Sequence, residues 1–226
     1  MLVFDDGAFS EDSTFGIAET FSRTPKEVLA KNFQLPLATF DNIPEDELFI
    51  FPGTPAPKNI KVQNVTGPEG SIKNKLSYSF HWSQQEPLKA PGGTVKILDA
   101  RSFPIAENVA AALVTIEPGA IREIHWHADS DEWNFFLSGN ARIGVYAAQG
   151  NSRTFDYQAG DVGYIPKSMT HYIENTGTTT VTVLEVLKSG KFSDFSLSQW
   201  LAHVPSQIVQ VGSFVIPCNM VNEQKG

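Results

Sequence analysis

The sequence is poor in cysteine, in basic residues and in long apolar stretches. Its single cysteine, Cys218, excludes a disulfide within the chain and a metal cluster held by several thiolates. No apolar run approaches the roughly 20 residues of a membrane-spanning helix, and the opening run Met1–Phe4 is too short for the apolar part of a signal peptide. The chain has 17 Lys and Arg against 25 Asp and Glu, which gives a net charge of −8. We therefore expect neither a nucleic-acid-binding surface nor a membrane protein.

The sequence does contain a large apolar fraction. Hydrophobic residues make up 41% of its 226 residues, and Phe alone occurs 16 times. This is enough to bury a sizeable core, which excludes a wholly disordered chain. The length corresponds to one large domain, or to one domain with attached segments.

A helix is predicted near the amino terminus. The run Thr24–Glu27 has the order of a capping box, with proline at the first helical position. Leu29 and Phe33 then contribute to an apolar side, and a proline shortly afterwards ends the helix. The next segment, 36–75, is rich in Pro, Gly and Asn, and predicts an irregular wrap or linker.

Beyond residue 76, apolar and polar residues alternate, and turn residues interrupt the pattern. Many short strands at near-regular spacing are typical of an all-β barrel or sandwich. A second capping-box pattern, Ser196–Gln199, predicts a short helix that ends at Pro205. The remainder, 206–226, is predicted to be an irregular tail. The predicted strands are Leu76–Trp82, Gly93–Asp99, Ala110–Glu117, Glu123–His127, Glu132–Ser138, Ala141–Tyr146, Arg153–Gln158, Val162–Ile165, His171–Glu174 and Thr179–Leu187.

Four residues in the strand region have the chemistry of a metal site. His125 and His127 are two positions apart on a predicted strand, so their side chains point to the same face. Glu132 begins the next strand, and His171 begins a later one. If these strands close into a barrel with the four side chains inward, three imidazoles and one carboxylate converge on one point. Such a ligand set suits a divalent transition metal, whereas the alternative is a set of unrelated surface or core histidines.

Two motifs around these residues resemble those of a known family. The pattern Gly119-x5-His125-x-His127-x4-Glu132-x6-Gly139 resembles the first cupin motif, and Gly160-x5-Pro166-x4-His171-x3-Asn175 resembles the second. The resemblance implies an all-β cupin barrel, also called a double-stranded β-helix or jelly roll, with short flanking helices. The resemblance is more specific in three segments, 121–127, 160–164 and 196–201. These segments resemble the second cupin domain of bicupin oxalate decarboxylases.

The resemblance also implies a domain division. Residues 1–35 are similar to the end of a preceding cupin, including its last strand, its lid loop Ser10–Thr14 and a helix, while 36–75 is linker, 76–205 the metal-binding cupin and 206–226 the tail. In the family the lid glutamate donates a proton at the first site, whose ligands are missing here. Glu11 at that position is therefore either a solvated loop carboxylate or a residue that covers a neighbouring subunit's site.

The resemblance further implies a reaction and its cofactors. These are Mn(II), oxalate as substrate, formate and carbon dioxide as products, and dioxygen as a redox co-catalyst. Fe, Co, Ni and Zn remain possible metals, because His and Glu ligands accept them too. The family places an arginine at the position of Arg122 inside the pocket, where it binds a carboxylate. Strand parity alone would point Arg122 away from His125, so an inward position requires a β-bulge.

Glu185 is a second candidate catalytic residue. Apolar residues share its face of a predicted strand, which indicates a desolvated carboxyl group with a raised pKa, suited to general acid–base catalysis. The alternative is a structural carboxylate bonded to Arg122. Asp194, in the loop before the last helix, matches the family's lid only by location, and we assign it no function.

Two other functions remain open at this point. Without a lid glutamate, oxidation of oxalate to carbon dioxide and peroxide becomes an alternative, and a non-catalytic, metal-binding structural cupin is another. We expect the chain to form a homo-oligomer. The sequence leaves its location undecided between secretion or the cell wall, if the parent is a fungal-type enzyme, and the cytoplasm.

Overall fold

The structure is a computed structural model that describes residues 17–45, 53, 55–59, 61 and 76–212. The chain divides into two compact units, residues 1–72 and 73–226. The predicted lid loop with Glu11, and Cys218 in the tail, lie outside the described residues. The predicted division at residues 35, 75 and 205, and the origin of 1–35 as the remnant of another cupin, remain predictions.

The first unit contains two short helices, α1 (Ile17–Arg23) and α2 (Lys26–Phe33), followed by a 3-10 turn, Leu37–Phe40. Helix α1 was not predicted, and the capping box proposed at Thr24 does not form. The Thr24 hydroxyl instead donates 2.7 Å to the carbonyl of Thr20 at the end of α1. The N-cap position of α2 is occupied by Pro25, whose side chain has no atom that could accept a hydrogen bond, so α2 starts without a side-chain cap.

The second unit is built from strands, and the all-β fold is confirmed. Within the described residues they form two antiparallel sheets, one with the order β1-β2-β3-β10-β5-β8 and the other with the order β11-β4-β9-β6-β7. The strands are β1 (Leu88–Ala90), β2 (Gly93–Leu98), β3 (Ala110–Ile116), β4 (Ile121–Trp126), β5 (Glu132–Ser138), β6 (Asn140–Tyr146), β7 (Ser152–Gln158), β8 (Val162–Ile165), β9 (Thr170–Asn175), β10 (Val181–Leu187) and β11 (Phe195–Ser196).

The core lies on the inward faces of the two sheets. Strand β10 shows the pattern most clearly, because every second residue from Val181 to Leu187 is fully buried. Alternation of this kind follows from the two-residue period of a strand. Residues buried in the same cluster include Ile116, Phe136, Ile143 and Ile173.

One predicted strand, Leu76–Trp82, is wrong. Its aromatic residues alternate with polar ones, but the hydroxyl of Ser77 donates 2.7 Å to the carbonyl of Ser79 and accepts from its N–H at 3.2 Å. These local bonds compete with pairing to a neighbouring strand. A 3-10 turn, Trp82–Gln84, follows, and the sheet edge is formed by the short strand β1, which the sequence did not reveal.

The carboxyl-terminal part contains helix α3 (Leu197–Ala202) and helix α4 (Ser206–Gly212). The predicted cap of α3 is present, since the Ser196 hydroxyl accepts from the N–H of Gln199 at 3.2 Å. Helix α4 corrects the prediction of an irregular tail over its length, because the Pro205 carbonyl accepts from two following N–H groups and starts a new helix. Among the described residues, no helix is long and apolar enough to cross a membrane.

Candidate metal centre

The four predicted metal ligands come together inside the barrel. His125 on β4 lies directly opposite His171 on β9, His127 follows the end of β4, and Glu132 begins β5. One ligand atom from each residue lies within 4.8 Å of those of the other three. All four side chains are buried, with at most 2% of each residue exposed. Strand pairing therefore assembles the site that the sequence predicted from spacing.

Main-chain carbonyls fix the orientation of the three imidazoles. The Nδ1 atoms of His125, His127 and His171 lie 2.7, 2.8 and 3.0 Å from the carbonyl oxygens of Glu123, Ser193 and Met169. A carbonyl can only accept, so each Nδ1 carries the proton and donates it. In the neutral rings each Nε2 then holds a lone pair, which is directed into the site.

The inward atoms have no hydrogen-bond partners among the described residues. These atoms are the three Nε2 nitrogens and both carboxylate oxygens of Glu132. Yet Glu132 Oε2 is only 2.5 Å from His127 Nε2 and 3.3 Å from His171 Nε2. Buried acceptors placed this close repel one another unless a proton or a cation lies between them. Three nitrogens and one oxygen of this kind fit a divalent transition metal.

Electrostatics favour an ionised glutamate at this point. Burial acts to raise the pKa of Glu132, but the adjacent imidazoles of His127 and His171 outweigh burial and hold that pKa well below its usual value. Burial, together with the charge of Arg122, lowers the pKa of His125 well below its usual value. For His127, burial opposes the charged form, but Glu132 prevails and raises the pKa. A proton therefore competes with a cation for the space between His127 and Glu132.

A bulge in β4 brings Arg122 to the same side as the ligands. Arg122 is paired with Ile173 and His125 with His171, so β4 contains one more residue than β9 between these two pairs. Because Ile173 is fully buried and lies two residues from His171, it shares the inward face, and so does its partner Arg122. The bulge that an inward Arg122 required is present. The Arg122 side chain is 20% exposed, and it donates a hydrogen bond to Asp194.

Glu185 is an isolated carboxyl group in the core. It lies on β10 opposite Asn134 of β5 and Ala112 of β3, and it is fully buried. Burial, reinforced by the charge of Glu132, raises the pKa of Glu185 to about 8, although Arg122 acts in the opposite direction. Neither of its oxygens has a hydrogen-bond partner among the described residues, so the alternative in which it is bonded to Arg122 is not what this structure contains.

Two further residues of the site, Asn134 and Asp194, were given no role by the sequence analysis. Asn134 is fully buried, and neither amide atom has a partner in the described part of the chain. Its position two residues after Glu132 on one strand was a usable signal, since the two side chains share a face. Asp194 gave no such signal, because its contact with Arg122 depends on how the segment after β10 returns to β4.

A cavity of about 430 Å³ opens beside Arg122. Its wall includes Asp194, Phe192 and apolar residues of the inward faces of β2 and β3, such as Ile97 and Val114. Phe192 also contacts the ring of His127, with the two ring centroids 5.7 Å apart. The wall also includes a second cationic residue, Lys89, whereas none of the four candidate ligands lines it. A small carboxylate therefore has a partly apolar chamber with two cationic residues, and Phe192 separates that chamber from His127.

Comparison with known proteins agrees with these features. The family model described as "Cupin" matches residues 81–214. The oxalate decarboxylase of Bacillus subtilis is 45% identical over 210 residues, which are 93% of this chain and 54% of that protein. A probable oxalate decarboxylase of Arthroderma benhamiae is 41% identical over 229 residues, or 100% of this chain and 55% of that protein.

A solved structure of the Bacillus subtilis enzyme, from a study of its Mn(II) centres, superposes with a TM-score of 0.81 at 41% identity, and covers 99% of this chain and 59% of that one. This chain thus spans little more than half the length of these relatives. The matched residues 81–214 contain all four candidate ligands and most of the described β-structure. On its motifs, its fold and this match, the chain belongs to the cupin family.

Proposed function

We propose that this protein is an oxalate decarboxylase-like carboxy-lyase, which converts oxalate to formate and carbon dioxide. One observation carries the proposal: four buried ligand atoms, a guanidinium and a fully buried carboxyl group share the inward face of one barrel. Carboxylate binding and proton donation are the two tasks that this reaction sets for the protein. The names of the relatives, at 41–45% identity, support the same reaction.

We propose Mn(II) as the metal, held by His125, His127, Glu132 and His171. The mixed nitrogen and oxygen ligand set suits it, and the similar structure from Bacillus subtilis comes from work on Mn(II) centres. The same ligands accept Fe, Co, Ni or Zn, so the metal must be measured. When bound, Mn(II) supplies Lewis-acid and redox chemistry, with dioxygen as co-catalyst.

The chain's own residues then have separate roles. Arg122 binds and orients one carboxylate of the substrate, because a guanidinium matches a carboxylate with two parallel hydrogen bonds. Loss of carbon dioxide leaves a carbon that needs a proton to become formate. Glu185, with a pKa of about 8, still holds its proton at neutral pH and is the buried acid on this face.

The test is a product analysis on the metal-loaded protein. Formate and carbon dioxide in equal amounts support the decarboxylase, peroxide with carbon dioxide indicates the oxidase, and neither product with the metal bound indicates a structural cupin. The variant Glu185→Gln should lose formate production by about 10²–10⁴-fold, the usual contribution of a positioned acid, and it should keep its metal. Glu107→Gln, which changes an exposed carboxylate between β2 and β3, is the matched control and should remain active.

A further inference from the structure

We propose that Asp194 is an internal competitor for the carboxylate-binding guanidinium of Arg122, so that a carboxylate ligand must displace Asp194 in order to bind. The inference rests on the proposed function, because it takes Arg122 as the group that binds the substrate. It assigns to Asp194 the role of setting the affinity of the site for small carboxylates.

The contact itself joins distant parts of the chain. Arg122 Nη2 donates to Asp194 Oδ2, and the two residues are 72 positions apart in sequence. The side chains are 20% and 33% exposed, so the pair lies at the mouth of the barrel, partly shielded from water. Partial burial strengthens an ion pair relative to one on the open surface. The other ion pairs of Arg residues with aspartates in the described second unit, Arg101–Asp99 and Arg142–Asp156, do not involve the cavity.

The segment that carries Asp194 is fixed on both sides of it. On one side, the carbonyl of Ser193 accepts from His127 Nδ1 at 2.8 Å. On the other side, strand β11 pairs with β4 at Trp126 and His125. Asp194 lies between these two anchors, and both of them are attached to the candidate metal ligands or to their strand. The backbone therefore holds the Asp194 carboxylate against Arg122 and against the wall of the same cavity.

The chemical consequence is competition. A guanidinium binds one carboxylate best through two parallel hydrogen bonds, and Asp194 already uses part of that donor set. An intramolecular carboxylate acts at a high effective concentration. The apparent affinity for an external carboxylate is reduced by the fraction of protein in which Arg122 is paired with Asp194. Removing the charge of Asp194 should therefore tighten binding, whereas loss of a purely structural ion pair would leave binding unchanged or weaken it.

The experiment measures formate binding to the Mn(II)-loaded protein by calorimetry. Formate is a small monocarboxylate that the proposed reaction does not consume. Since hydrogen bonds to charged groups are strong, Asp194→Asn should lower the dissociation constant by roughly 10- to 100-fold. Asp194→Glu keeps the charge and should stay close to the unmodified protein. Asp156→Asn removes the exposed partner of Arg142 and should have no effect.

Further variants keep the test decisive. Asp194→Ser removes the same charge with a smaller side chain, and it must also tighten binding, which covers the case in which Asp194→Asn does not fold. In an Arg122→Ala background, Asp194→Asn should no longer tighten binding, because the shared guanidinium is gone. Equal or weaker formate binding by the folded, metal-loaded Asp194→Asn protein overturns the inference.

The two proposals fail in different ways. If oxalate gives no formate but Asp194→Asn still tightens carboxylate binding, the proposed reaction is wrong and the role of Asp194 stands. If formate is produced normally and Asp194→Asn does not bind carboxylates more tightly, only the role of Asp194 is wrong.

Discussion

At the scale of single residues, the chemistry depends on polar groups that the core leaves without partners. Other buried polar side chains of the described residues have partners, as Asn175 does in its bond to the Ile116 carbonyl. Within the described strands and the loops that join them, the atoms without a partner belong to Glu132, Glu185, Asn134 and the Nε2 positions of the histidines, while Trp82 and Gln85 add two more ahead of β1. An unpaired buried polar group costs free energy, so such a cluster indicates that a metal, a substrate or water completes it.

The first prediction concerns the metal ligands. His127→Ala should lose most of the bound metal, because it removes one of four ligands and leaves Glu132 without its nearest contact. Loss of a ligand that binds only the folded state also lowers the melting temperature in the presence of Mn(II). Metal analysis and thermal unfolding with and without Mn(II) measure both effects.

A suitable control for this variant is His203→Ala, because His203 is exposed at the end of α3. It should retain the metal and the melting temperature of the unmodified protein. Full metal occupancy in His127→Ala would contradict the assigned ligand set.

The second prediction is a pH dependence of stability caused by Glu185. Its pKa rises from 4.5 in the unfolded chain to about 8 in the fold, so the folded state binds this proton more tightly. The resulting stability is fully present below about pH 4.5 and is lost as the pH rises through about 8. In metal-free protein, Glu185→Gln should therefore become more stable than the unmodified chain as the pH increases, by an amount on the order of a few kcal/mol at pH 9.

Urea unfolding of both metal-free proteins at pH 5, 7 and 9 measures this difference. Glu107→Gln again serves as the exposed control, and it should show no such trend. A constant difference between Glu185→Gln and the unmodified chain across this range would show that Glu185 is ionised in the folded state.

At the scale of secondary-structure elements, the sequence predicted most strands, but it did not predict which strands pair with each other. Alternation along β10 gave both the strand and the inward direction of Glu185, because a two-residue period is a local property. The same period at Leu76–Trp82 was misleading, because alternation does not reveal whether a partner strand is available. The short strands β1 and β11 carry too few residues to show a period at all.

In the site, too, features set by nearby residues could be predicted, whereas a contact between distant parts of the chain could not. Ligand spacing predicted which residues meet, and strand parity predicted that Arg122 needs a bulge, which is present in β4. The contact of Arg122 with Asp194 could not be predicted, since it is set by the path of the chain between β10 and β11. Metal binding itself, and the catalytic roles of Arg122 and Glu185, remain predictions.

The third prediction tests the side-chain cap at the start of α3. Ser196→Ala removes the acceptor for the Gln199 N–H and should lower the free energy of unfolding by about 1 kcal/mol. Ser196→Thr keeps a hydroxyl at the cap and should lose much less. Urea unfolding at constant pH compares the variants. Equal stability of Ser196→Ala and the unmodified protein would mean that the cap contributes nothing.

At the scale of the whole molecule, one sheet presents an apolar outer face. On β5 and β8 the outward side chains Trp133, Leu137, Val162 and Tyr164 are each more than 40% exposed, and Trp133 lies directly opposite Tyr164. Contiguous apolar surface of this kind is typical of interfaces between proteins. The homo-oligomer expected from the sequence would bury this face against a second copy of the chain.

The fourth prediction follows from that face. Light scattering at micromolar concentration should show an oligomer, and Trp133→Lys or Tyr164→Lys should shift it toward the monomer, because a buried, unpaired charge opposes association. Ile208→Lys, at an exposed position of α4 outside both sheets, places the same charge elsewhere and should not change the oligomeric state. A clean monomer for the unmodified chain would exclude self-association through this face.

The main-chain carbonyls that bond to the three histidines determine which changes of sequence the site can tolerate. The carbonyls of Glu123, Ser193 and Met169 set which nitrogen of each ring faces inward, yet any amino acid supplies a carbonyl. Substituting these three residues therefore keeps the hydrogen bonds that orient the imidazoles. A one-residue insertion or deletion beside them would move the carbonyls and break those hydrogen bonds. The orientation of the three rings therefore depends on the path of the main chain, in strand β4 as well as in the loops, more than on the identity of these three residues. Grafting the four ligands onto another barrel would fail unless the chain path behind them were copied as well.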